Sequence, residues 1–68
     1  MTSLAEALPQ EQARARELIT VYRSLPNGAG VPTAFVMEQA LQAADQAVMS
    51  GDVIAMIQSY NDLKGFTG

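Results

Sequence analysis

Few side chains in this sequence have chemical capacity. Arg14 and Arg23 are cations, and Tyr22 and Tyr60 are flat rings with a polar edge. Asn27, Gly28, Gly30 and Thr33 lie in or just after the Gly-rich stretch. Together these types suit a small anionic ligand carrying an aromatic base. Guanidinium groups and backbone N–H groups take phosphates, a helix N-terminus attracts negative charge, and Tyr rings stack on bases. Both Tyr also fall on apolar helix faces, where core packing is their ordinary role. The Gly-rich stretch is equally the material of a plain helix connection. It is not a Walker A loop, because no Gly-Lys-Ser/Thr follows. One chain this small encloses little volume, so a nucleotide site of this kind is expected between subunits.

Catalysis has less to build on. The chain has no His and no Cys. That removes the commonest bases and nucleophiles, the usual zinc ligands and any disulfide. Glu11, Glu17, Glu38, Asp45, Asp52 and Asp62 are scattered along helical segments, without the local pairing that acid–base chemistry uses. Glu38 and Asp45 fall two turns apart on a solvated face. The residues therefore predict a non-enzyme with no catalytic set, no cofactor and no metal.

Sixty-eight residues make a single domain, residues 1–68. A core of this size is marginal, and helix packing or self-association must supply what covalent staples do not. The apolar fraction of 49% points to a homo-oligomer. Four basic residues against seven acidic ones disfavour nucleic acid as a partner. Residues 1–6 lack the basic region and apolar run of a secretion signal, and no apolar stretch is long enough to span a bilayer. The absence of Cys fits a cytoplasmic location.

The elements that must position these residues are helices, and the fold class is all-α: a small bundle of two to three main helices. Ser3 with Glu6 reads as a capping box, and Pro9 as a kink or the start of a fresh helix over 10–25. This leaves open a separate short helix over residues 1–8. Ala15, Leu18, Ile19, Tyr22 and Leu25 share one face, with Arg16, Thr20 and Arg23 opposite. Glu11 and Arg14 project into the apolar arc, by snorkelling past the core edge or by contacting a subunit or ligand. Pro26-Asn27-Gly28 is turn chemistry, and Thr33 is a candidate N-cap.

The next helix, over 33–50, carries two stripes. Ala34, Met37, Leu41 and Val48 form one, Val36, Ala40, Ala43 and Ala47 the other, with Ala44 between them. The small stripe lets a second helix come close and marks a subunit contact. Phe35 and Met49 fall outside both stripes, as covers for the bundle ends or as anchors for another chain. Gly51 reads as the left-handed residue ending this helix and Asp52 as the N-cap of the next, a tight joint that fixes the angle between them. In the last helix Val53, Met56, Ile57, Tyr60 and Leu63 share a face, while Gln58, Ser59 and Asp62 face away. Gly65 reads as its terminator, with Phe66 folding back. The Met residues on these helices read as adaptable core.

Ala47, Gly51 and Ile57 match the Ala-x3-Gly-x5-Ile spacing of a helix-turn-helix, which would place Ile57 in the core. The last helix carries a single Lys, too little for phosphates and base edges. Tyr22-x-x-Leu25-Pro26-x-Gly28, Ala40-Leu41-x-x-Ala44-x-x-Ala47 and Gly51-Asp52-Val53-x-Ala55-Met56-Ile57-x-x-Tyr60-x-x-Leu63-Lys64 resemble small uncharacterised helical accessory proteins of tailed phages and prophages. The resemblance covers about residues 15–64. It implies a counter-defence or host-takeover protein in the host cytoplasm, sequestering a host protein or a small anionic nucleotide signal. The alternatives are a small DNA-binding regulator and a structural or virion-associated helical oligomer.

Overall fold

The computed structural model describes residues 3–67 of the chain. Met1 and Thr2, part of the stretch read above for a leader, and Gly68 of the tail lie outside the described residues. Three helices follow in order: α1 (Leu4–Arg23), α2 (Val31–Ser50) and α3 (Val53–Lys64), with a short 3-10 turn at Pro26–Gly28. Each helix packs against both others, and no strand occurs among the described residues.

α1 runs unbroken through Pro9. The expected fresh start at Pro9, and with it a separate short helix before Pro9, is absent among the described residues because burial outweighs backbone cost. An interior proline costs about 3 kcal/mol. Leu8 is fully buried, and half-buried Leu4 packs against the same cluster. Burying a Leu side chain is worth about 2 kcal/mol, so the pair offsets that cost. Ala5, whose carbonyl loses its bond to the missing Pro9 N–H, is exposed. The capping box does not form either. The Ser3 side chain makes no cap bond, and its backbone carbonyl instead accepts from Glu6 and Ala7 N–H at 3.1 and 2.8 Å.

α2 begins earlier than the Thr33 cap implied. Gly30 is the flanking residue, Val31 and Pro32 open the helix, and Thr33 lies within its first turn. Pro32 explains the early start, because proline suits the first helical positions, where an N–H has no partner anyway. Gly51 ends α2 in the left-handed region at φ 68°. The Asp52 carboxylate accepts from Ala55 N–H at 3.1 Å at the start of α3. Gly65 ends α3 with ordinary right-handed angles, not left-handed ones.

The core has two clusters. Leu8, Ala15, Ala44 and Leu63 form one; Ile19, Ala34, Met37 and Leu41 form the other. Phe66, folded back from the tail, packs against both. Two sequence expectations for α3 are corrected here. Ser59 is buried rather than turned to solvent, while Val53 and Ile57 are exposed. Two neighbouring helices press on α3 along the Met56, Ser59 and Leu63 line, so the buried arc is rotated away from the centre of the apolar arc. Val48 of the large stripe is likewise exposed.

Candidate functional site

The cations are the first test of an anion site. The Arg14 guanidinium lies against the C-terminus of α3. Its Nε donates to Glu11 at 2.7 Å, Nη2 to the Leu63 carbonyl at 2.7 Å and Nη1 to the Phe66 carbonyl at 2.8 Å. A helix C-terminus leaves carbonyls without partners and carries partial negative charge, so a guanidinium satisfies both needs. Arg14 thus enters the apolar arc to cap a neighbouring helix, a role that α1's own sequence does not reveal.

Arg14→Ala is expected to lower stability by about 2 kcal/mol, since hydrogen bonds to a charged group are worth roughly 1.5–3 kcal/mol. For a domain of this length that is a fall in Tm of roughly 10 °C. Arg14→Lys recovers only part of the loss, because a single ammonium cannot span the two carbonyls and Glu11 together. Thermal unfolding followed by circular dichroism checks both variants.

Arg23 pairs with Glu38, and Arg16 with Asp45 at 3.4 Å. Gln12, which is buried, donates to the same Asp45 oxygen at 2.7 Å. These contacts form a polar ladder between α1 and α2, two turns apart on each helix. The acids at Glu38 and Asp45 are thereby given partners on α1. Gln12 was missed because its partner lies 33 positions away. Its polar type on the apolar arc was the available signal.

The loop residues of the candidate ligand set do not converge with the rings and Arg14 on one enclosed site. Asn27 and Gly28 both have positive φ within the 3-10 turn. Gly30 is buried, and a Cβ there would sit 2.1 Å from the Tyr22 carbonyl oxygen. It is therefore the close-packing point between the end of α1 and the start of α2. Tyr22 is half-buried, and its hydroxyl donates to the Thr67 carbonyl at 3.0 Å. Tyr60 packs against the other core cluster, with the Lys64 ammonium over its ring. The described residues enclose no pocket and contain no cluster of three or more acidic metal-ligating side chains.

The candidate partner-binding residues divide. Ala47 is buried and Ala40 half-buried, taken up within the bundle. Phe35, Val36, Ala43 and Met49 remain outside, with Phe35 60% and Met49 87% exposed. Ile54, in the first turn of α3, is 71% exposed. In a helix-turn-helix, Ile57 would support the second helix from below; here it is exposed.

No protein-family model, curated protein or solved structure matches the chain. No helix among the described residues is long and apolar enough to cross a membrane.

Proposed function

We propose that this chain is a non-catalytic binding protein, a phage-type accessory factor that works as a homo-oligomer and sequesters a host protein through an apolar helix surface. One observation carries the reading. Among the described residues ten large apolar side chains are exposed, against five large ones in the core. Single exposed apolar residues are commonplace, but a surface that outnumbers the core is a surface for association. The accessible area agrees. It is 4549 Å², while a compact monomer of 7.2 kDa is expected to expose about 4100 Å².

Between the two kinds of target, the ion pairs favour a protein. All three Arg already face acidic side chains of their own chain. An anionic nucleotide would have to displace those partners. A protein target meeting Phe35 and Val36 at the start of α2 would displace only water.

Site-specific photo-cross-linking in a bacterial host tests this. A photoreactive residue at Phe35 is expected to trap a discrete heterologous protein, and the same residue at exposed Thr20 is not. Phe35→Asp in otherwise unmodified protein should compete poorly for that adduct. No adduct at Phe35, together with saturable binding of a cyclic di- or trinucleotide that Arg23→Ala weakens, would replace the reading with nucleotide sequestration.

A further inference from the structure

We propose that the outer flank of α3 is a self-recognition surface, pairing antiparallel with α3 of a second copy of this chain about a two-fold axis. The proposal rests on the homo-oligomer part of the reading above and assigns the surface that makes it. Val53, Ile57, Tyr60 and Lys64 recur at i, i+4, i+7 and i+11. At 100° per residue they fall on one line along the whole helix. The line lies beside the buried one formed by Met56, Ser59 and Leu63, so the bundle leaves its Val53 and Ile57 exposed and covers Tyr60 only in part. Val53 is 58% and Ile57 46% exposed, and Tyr60 is half-buried.

Charge at the two ends selects the occupant. α3 starts at the Asp52 carboxylate, where one oxygen accepts from Ala55 N–H. It ends at Lys64, whose ammonium makes no ion pair among the described residues and rests over the Tyr60 ring. Twelve residues separate the ends by about 18 Å. An antiparallel copy sets Ile57 against Tyr60 of the second copy, and Val53 against Lys64 of the second copy. The Lys64 stem then covers an exposed Val, and its ammonium lies within reach of Asp52 of the second copy. The two-fold repeats this ion pair, and the opposed helix dipoles attract. A parallel copy would instead set Lys64 against Lys64 and Asp52 against Asp52.

Ile54, beside Val53 on α3, and Met49, across the Gly51–Asp52 connection at the end of α2, are 71% and 87% exposed and add apolar surface near the start of this line.

Sedimentation equilibrium on the full chain and its variants tests the assignment. The unmodified protein is expected to dimerise. Ile57→Glu and, separately, the surface change Lys64→Glu should each weaken association at least about tenfold, with helicity retained; Lys64→Glu reports even where Ile57→Glu does not fold. Because the chain has no Cys, Val53→Cys and Lys64→Cys proteins can be mixed and oxidised. The antiparallel register predicts a mixed disulfide in preference to either homodisulfide. A monomeric unmodified protein overturns both the oligomer reading and this surface. A stable oligomer of unchanged mass in Lys64→Glu, or homodisulfides alone, leaves the oligomer standing and overturns the α3 pairing.

Discussion

Gly30→Ala is expected to cost about 3 kcal/mol, the upper end of what overpacking does. The reason is the neighbour, not the backbone angles, which are ordinary at φ −94°. A Cβ at position 30 would lie 2.1 Å from the Tyr22 carbonyl oxygen and 2.9 Å from the Tyr22 Cα. Those are backbone atoms near the end of α1, so no rotamer change relieves the clash. Either α2 starts elsewhere or the two helices separate at that end, which uncovers Ile19 and Met37. A domain of this length has a total stability of roughly 3–10 kcal/mol, so the change removes between about a third of it and all of it. Gly28→Ala supplies the contrast. Its φ is +69°, but its nearest neighbour is a Val31 methyl at 3.9 Å. It should cost only about 1–2 kcal/mol, the strain of a left-handed Ala. Urea unfolding of the two variants gives the comparison. Equal stability of Gly30→Ala and the unmodified chain would remove the close-packing role.

Leu8→Ala is expected to cost about 3 kcal/mol, within the 2–5 kcal/mol range for a buried Leu. Leu8 is fully buried beside Ala15, Ala44 and Leu63, and two of those neighbours are already Ala. Longer side chains packed against the same cluster, Leu4, Met56, Tyr60 and Phe66, can fill part of the cavity, which keeps the cost in the lower half of that range. The same contact holds α1 helical through Pro9, so the variant should also lose helix over residues 4–8. Pro9→Ala should do the opposite, raising stability by about 1 kcal/mol or more through the restored N–H. Amide exchange over the first two turns of α1 separates local fraying from global unfolding. Full protection of residues 5–8 in Leu8→Ala would show that this contact is not what carries the helix past proline.

These variants divide what is legible along the chain from what is not. The all-α class followed from periodicity and breakers alone. Apolar residues at 3.6-residue spacing over 33–50 and 53–64, with Pro26-Asn27-Gly28 between strong helical runs, leave little choice of element. Those preferences act within a few residues, so a single sequence displays them. The three helices of the structure are of the kind that this reading implies, although α1 is longer at its start.

What depended on tertiary contacts went unread or was read differently. Pro9 breaks a helix by local rules, yet the helix continues because Leu8 is buried in one cluster with Leu63, a residue more than fifty positions away in the chain. Arg14 resembles a ligand-binding cation until α3 ends against it, and Gln12 resembles a misplaced polar residue until Asp45 arrives. Arg23 resembles an anion anchor until Glu38 faces it. Among the candidate partner-binding residues, the bundle covered Ala40 and Ala47 and left Phe35, Val36, Ala43 and Met49 outside. It left Val53 and Ile57 outside as well, because two helices pressing on α3 define a buried arc narrower than its apolar arc. Periodicity specifies which residues lie on one side of a helix. Only the positions of the other helices determine how much of that side they cover, and here the uncovered remainder is the surface available for association.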